Sequence, residues 1–207
     1  MNERITAIIL AAGESTRMGR LKQLLPWGDA TLLQWQVEQM RAADADDVII
    51  VLGHEAAQIE AAAGPLAARI VVNADYRTGR ASSLRRGAEA IDGPAGAVLV
   101  LGVDQPRPAW VSRLLIEHWR HTHAPIVSPL FDGRHGHPVL LDGALVDELR
   151  AVTDETLGLR AVTDRHAAAA ESVPVRNSAV NVDLNLPSDY EAALSSFTAG
   201  KWDHEVD

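Results

Sequence analysis

The residues best suited to chemistry lie near the start of the chain. Leu10-Ala11-Ala12-Gly13-Glu14-Ser15-Thr16-Arg17-Met18-Gly19-Arg20-Leu21-Lys22 follows an apolar run, residues 5–11, that reads as a buried strand. Ala11, Ala12 and Gly13 are small, so a flat base or a phosphate can approach the backbone, where successive amides can point at an anion. Arg17 and Lys22 add fixed positive charge where triphosphate oxygens would lie. Transfer from a triphosphate needs a divalent cation, usually held by one or two carboxylates and the substrate's own phosphates. Asp104, in Leu101-Gly102-Val103-Asp104-Gln105-Pro106, follows another apolar run and is a candidate carboxylate. Plainer roles exist for both segments: a βα turn with two turn glycines and surface cations, and a loop or helix-cap carboxylate. Neither common nucleotide fingerprint is matched. Gln23 follows Lys22 where a Walker A loop needs Ser or Thr, and only Gly13 and Gly19 stand where the dinucleotide pattern needs three glycines.

Positioning these residues requires a regular frame. Short β-branched runs at 5–11, 47–52, 70–72 and 97–101 alternate with helical patterns at 31–42, 54–63, 82–91 and 110–122. The second of these helices is alanine-rich, the third is opened by Ser82 and the fourth follows Pro108. That alternation predicts a parallel sheet covered on both faces, with ligands beyond the carboxyl ends of the strands. Residues 126–130 and 137–141 flank the turn Asp132-Gly133-Arg134 and predict a β excursion from that sheet. Helices are expected at 146–152 and 158–165, and short strands at 172–175 and 180–183. A last helix is expected at 187–197, with Ser188 and Glu191 spaced as a capping box. Residues 198–207 are polar apart from Trp202 and read as a frayed tail after a single domain over 1–197. Trp35, Trp110 and Trp119 read as core residues on helix faces. His54, His118, His121, His123, His166 and His204 read as surface residues.

The loop carries a resemblance. Leu-Ala-Ala-Gly, then Ser-x-Arg-Met-Gly and Lys22, is similar to the signature of the MobA-like nucleotidyltransferases, which attach a nucleotide to the molybdenum cofactor. Leu24-Leu25-Pro26-Trp27-Gly28 and Thr31-Leu32-Leu33 resemble the cytidylyltransferase branch, in which Ala-Ala-Gly replaces Ala-Gly-Gly. Asp104-Gln105-Pro106 resembles the family's Gly-Asp-x-Pro motif, although Val103 separates Gly102 from Asp104. Val182-Asp183-Leu184-Asn185-Leu186-Pro187 resembles its closing Asp-x-Asp-Thr-Pro segment, with Asn185 and Leu186 as departures.

The resemblance implies a Rossmann-like three-layer α/β/α fold with a mostly parallel sheet, of the nucleotide-diphospho-sugar transferase type. It implies Mg²⁺ held by Asp104 and Asp183, with Arg17, Lys22 and Asp104 catalytic. The nucleotide would meet Leu10, Ala11, Ala12, Gly13, Arg17, Lys22, Gly79, Ser82 and Ser83. The acceptor side would take Arg80 and the Gly-His-Pro motif of Gly136, His137 and Pro138. CTP is the implied donor, a phosphorylated acceptor such as molybdopterin the second substrate, and a molybdoenzyme the protein partner. Asn185 is expected to cap the last helix and Asp189 to sit in its first turn. His135 and His137 alternate along an extended segment, which argues against a two-histidine metal site.

Composition narrows the alternatives. Among 207 residues, 19 are Lys or Arg and 28 are Asp or Glu, giving a net charge of −9, which argues against nucleic-acid binding through a basic surface. There is no cysteine, which removes disulfides, thiolate metal sites and cysteine nucleophiles. No apolar run is long enough for a membrane span or a secretory signal, and a cytoplasmic protein is expected. Two other readings stay open: transfer to another phosphorylated small molecule or sugar, and a non-catalytic module carrying a cofactor in the same pocket. A nicotinamide-dependent dehydrogenase is disfavoured by the glycine spacing of the loop.

Overall fold

The computed structural model describes residues 3–155 and 158–203. Its centre is four parallel strands: β1 (Ile5–Ala11), β4 (Asp47–Leu52), β5 (Arg69–Val72) and β6 (Ala97–Gly102). They pair in the order β6-β1-β4-β5, with Leu10 opposite Val51 on one side and Gly102 on the other. This register brings the carboxyl ends of β1, β4 and β6 to one edge. A separate two-stranded ribbon, β2 (Pro26–Trp27) and β3 (Ala30–Thr31), leads into the first helix.

Alternation explains why both faces are covered. In β4, Val48, Ile50 and Leu52 join one core, whereas Ile49 and Val51 join the other. In β6, Ala97, Leu99 and Leu101 face the first core and Val98 and Val100 the second. Each fully buried Ile, Leu or Val side chain contributes roughly 1.5–3 kcal/mol. The first core is closed by α1 (Leu32–Ala42), α2 (Ala56–Ala63), α4 (Ala109–Thr122) and α7 (Pro187–Thr198). The second is closed by α3 (Arg80–Glu89), α5 (Val146–Arg150) and α6 (Leu159–Arg165). The result is the three-layer, Rossmann-like arrangement. Helix α1 begins as its sequence dictates: Gln34 N donates to Thr31 Oγ1 at 3.3 Å and Thr31 N to Gln34 Oε1 at 2.7 Å.

The structure departs from the sequence reading in several places. The excursion belongs to the main sheet. β9 (Val139–Asp142) pairs antiparallel with β6 and with β7 (Ile126–Phe131), and β10 (Glu171–Pro174) extends the edge parallel to β7. Only β8 (Arg134–His135) lies off that path. The strand expected at 180–183 is absent. Ser178–Asn181 forms a 3₁₀ turn, started by Asn177, whose side chain accepts from Ala179 N at 2.9 Å. Helix α3 opens at Arg80, so Ser82 lies inside its first turn. The capping box expected from Ser188 and Glu191 is replaced by Asp189, which accepts from Asn185 N and Leu186 N at 3.1 and 2.8 Å. Trp202 is no tail residue: it is buried with Trp27 and Phe197, and its carbonyl accepts from Trp110 Nε1 at 2.9 Å. Apolar area and a satisfied carbonyl outweigh the polarity of its neighbours. His204 lies outside the described residues. No described helix is long and apolar enough to cross a membrane.

Candidate active site

The loop after β1 is shaped by residues that touch its own backbone. Ser15 adopts a left-handed conformation (φ 55°), and its carbonyl accepts from Met18 N at 2.9 Å and Gly19 N at 3.1 Å. Gly19 follows at φ 72°, where a side chain would be strained. Met18 is buried and anchors the turn. Ser15 Oγ accepts from Lys22 N at 3.3 Å, and Gln23 Nε2 donates to Ala11 O at 2.6 Å. These bonds fold the loop back over the end of β1 and turn Lys22 inward. Its Nζ reaches Asp104 Oδ2 at 3.0 Å.

Asp104 comes from a second tight turn. Gln105 N donates to Gly102 O at 3.0 Å, Gly102 N to Gln105 Oε1 at 2.8 Å, and Val103 N to Leu10 O at 2.9 Å. A Cβ on Gly102 would collide with Asp104 Oδ1, so the glycine one place early still serves the carboxylate. Val103 is buried in this turn.

A cavity of about 330 Å³ lies between the two turns. Of the residues expected at a nucleotide, Leu10, Ala12, Gly13, Arg17, Lys22, Gly79 and Ser83 line it, together with Asp104 and Arg80. Two do not. Ala11 is buried within β1, its carbonyl taken by Gln23. Ser82 points into a buried network: Asn73 Nδ2 donates to Ser82 Oγ at 2.9 Å and to Ser83 Oγ at 3.0 Å, and Ser82 Oγ donates to Gly79 O at 2.8 Å. Consecutive helical residues project about 100° apart, so only one of the pair can face the cavity. The amide of Asn73 fills an acceptor site on Ser83, whose own proton is free to point outward. Asn185, expected as a helix cap, instead accepts from Arg17 Nη2 at 3.0 Å and lines the cavity, while Asp189 accepts from the two amides that precede the helix. A more open concavity of about 620 Å³ on the other face of the loop reaches neither Lys22 nor Asp104.

Asp183 stands beside Asp104 without lining the cavity. Leu184 N donates to Asp104 O at 2.8 Å, which binds the two segments together. The Asp183 carboxylate is half exposed, and Arg107 Nη2 is 3.9 Å from its Oδ1. Two carboxylates on adjoining backbone fit a hard divalent cation that also takes phosphate oxygens and water. No group of three such ligands exists among the described residues, so an ion here would depend on the nucleotide for its remaining oxygens.

Arg80 also lines a second cavity of about 570 Å³, walled by Leu84, Val100 and Leu159 and reached by Gln105 and His137. His137 and Gly136 continue into a third, of about 510 Å³, with Ser128 and His135. Gly136 serves the chain rather than a ligand alone: a Cβ there would strike the Val180 carbonyl. Pro138 is buried and lines none of these cavities; the His137–Pro138 peptide is cis. Gln105 Oε1 is engaged by Gly102 N, so Gln105 Nε2 donates to His137 Nδ1 at 3.0 Å. The imidazole proton then sits on Nε2. Burial, followed by the charge of Arg107, pushes the His137 pKa down to about 4, so at neutral pH this group is an uncharged donor.

Arg107, Gln105 and Gln23 were not singled out as functional residues by sequence. Arg107 is the most consequential. It is fully buried, and burial lowers its pKa to about 10 against the opposing pull of Asp183 and Asp104. Its Nε donates to His137 O at 2.9 Å, and its Nη1 to Pro106 O and Val182 O, both at 2.8 Å. Its Nη2 has no hydrogen-bond partner among the described residues. Leaving such a donor buried and unpaired costs about 1–3 kcal/mol. A basic residue between two prolines gave only a weak sequence signal.

The sequence pattern of MobA-like NTP transferase domains matches residues 7–170. Nicotine blue oxidoreductase of Paenarthrobacter nicotinovorans is 34% identical over 163 residues, 75% of this chain and 79% of the relative. Molybdenum cofactor cytidylyltransferase of Escherichia coli K12 is 25% identical over 201 residues, 94% of this chain and 97% of the relative. The crystal structure of Rv0371c from Mycobacterium tuberculosis H37Rv superposes with a TM-score of 0.81 at 29% identity, over 95% of this chain and 100% of that one. That protein has also been crystallised with manganese; in that form the TM-score is 0.76 at 28% identity, over 93% of this chain and 99% of that one.

Proposed function

Because the chain belongs to the MobA-like NTP transferase family, we propose that it transfers CMP from CTP to the phosphate of molybdopterin or its molybdenum-loaded form, releasing pyrophosphate. The observation that carries this reading is the pairing of Lys22 Nζ with Asp104 Oδ2 at 3.0 Å, across a cavity that also holds Arg17 and Arg80. It supports the reading, because basic groups suited to a triphosphate and a carboxylate suited to a metal share one small space.

Asp104 and Asp183 would hold Mg²⁺, which would neutralise charge building up on the phosphates. The chain's own groups do the rest. Lys22 exchanges Asp104 for phosphate oxygens when nucleotide enters, and Arg17, tethered to Asn185, meets the same oxygens from the solvent side. Ser83 offers a hydroxyl proton to the base or sugar. Arg80, shared by two cavities, steadies the acceptor phosphate, and His137 donates from Nε2 to the acceptor's uncharged part. An acceptor phosphate oxygen attacks the α-phosphorus, the bond to the β-phosphate oxygen breaks, and pyrophosphate leaves. The attacking phosphate is already ionised at neutral pH, so no general base is required.

A second reading also has a specific observation behind it, the identity to an oxidoreductase. The same cavities would then hold a reduced dinucleotide and a flat aromatic acceptor. Hydride transfer leaves the paired Asp104 and Asp183 without a task, which favours nucleotidyl transfer. Pyrophosphate release from CTP, GTP, ATP and UTP, with and without molybdopterin, separates the readings. CTP-dependent release that requires the acceptor is expected. Release with another acceptor only would move the assignment to another phosphorylated molecule or sugar. Oxidation of a reduced nicotinamide dinucleotide without any pyrophosphate would overturn it. Binding without either reaction would leave a carrier module.

A further inference from the structure

Arg107 has no role in the transfer step described above, yet its surroundings are specific. It is a fully buried cation in the loop that carries Asp104. Three of its five N–H groups hold carbonyls from three segments: Pro106 beside Asp104, Val182 beside Asp183, and His137 on the acceptor side. Its remaining nitrogen is unpaired and stands 3.9 Å from Asp183 Oδ1. Asp183 itself makes no side-chain hydrogen bond among the described residues and is half exposed, and the Arg107 guanidinium is its ion-pair partner.

We propose that Arg107 is the positioning residue of the two-carboxylate metal site, holding the Asp183 segment and its carboxylate in place beside Asp104. The proposal rests on the metal-dependent reading above. Physically, two like charges on adjoining backbone repel, and a fixed cation 3.9 Å from one of them opposes that repulsion. The planar fork also matters. Lysine keeps the charge but cannot hold three carbonyls in a plane and aim a further donor at a carboxylate. Arg107 needs no contact with the metal or the nucleotide for this role; it acts through Asp183.

The test is a titration of free Mn²⁺ by electron paramagnetic resonance, with the intact protein, alone and with a non-hydrolysable α,β-methylene analogue of CTP. Arg107→Met is expected to weaken Mn²⁺ binding about tenfold or more, the usual effect of removing an outer support of a metal ligand. Analogue binding without metal is expected to stay within about twofold. Arg107→Lys should lie between Arg107→Met and the natural chain. In the Asp183→Asn background, Arg107→Met should add nothing, because its effect passes through that carboxylate. Circular dichroism establishes folding, and if Arg107→Met does not fold, Arg107→Lys alone and in the Asp183→Asn background decides. Unchanged Mn²⁺ binding in a folded variant overturns the proposal, as do effects of Arg107 and Asp183 that multiply. If the chain turns over no nucleotide at all, the transfer reading fails, while the Mn²⁺ titration still decides the role of Arg107.

Discussion

On one side of Asp104 the cleft is made by a single stretch of chain, residues 12–22; on the other it is assembled from residues near 80, 107, 137 and 183. The first side is charged and open: Arg17 and Gly13 are exposed, and the loop is held by bonds to its own backbone. The second is drier. Its walls are Leu84, Val100 and Val139, its imidazole is uncharged, and the buried cation Arg107 holds three carbonyls. A triphosphate carries charge that the exposed Arg17 can meet at little desolvation cost, whereas Lys22 is largely buried against Asp104. An acceptor with a largely uncharged body gains instead from apolar walls and a few fixed donors. The two sides therefore respond to different perturbations.

Four experiments test that contrast. Asp104→Asn strikes the seam between the sides, and turnover is expected to fall roughly 10³-fold, with affinity for either substrate alone nearly unchanged. Retained turnover in a rapid-quench assay would remove the chemical role of the seam. Lys22→Met should lower kcat roughly 10²-fold, by loss of one charge contact to the reacting phosphates. An equal loss of acceptor affinity would show that the sides are not separate. Arg17→Ala should raise KM for the nucleotide about tenfold and reduce its sensitivity to salt, because this cation is exposed and screened. A KM as salt-dependent as before would place the triphosphate elsewhere.

The smallest effect concerns His137. Its folded pKa, about 4, lies below the ordinary 6.5, so between those values the unfolded chain binds a proton that the folded chain refuses. Stability is therefore lost as pH falls from 6.5 toward 4, by an amount on the order of 1 kcal/mol for a half-buried group. Urea unfolding across this window should show the slope, and His137→Gln should flatten it. An identical slope in the variant would assign the acid sensitivity to other groups.

How much of this was legible varied with how local each feature is. The four central strands were readable because burial on both faces leaves continuous apolar runs. Residues 10–22 were readable because one loop holds both the small residues and the cations. The pairing of β9 between β6 and β7 was not, since a short apolar run looks alike whether it joins a sheet or leaves it. Trp202 was misplaced because polar neighbours hide a single anchoring side chain. Ser82 and Ser83 are equal by type, and only the start of α3 at Arg80, with Asn73 beneath, decides which faces the cavity.

By itself the sequence determined the covered parallel core, the loop at its carboxyl edge and the cations of that loop. Those depend on composition and short-range periodicity, which chain order preserves. Tertiary structure alone decided that Lys22 meets Asp104 across 82 positions, that Asn185 tethers Arg17 and that Arg107 lies buried under Asp183. Such contacts depend on which strands become neighbours, and strand order is set by the packing of the whole core rather than by any local pattern.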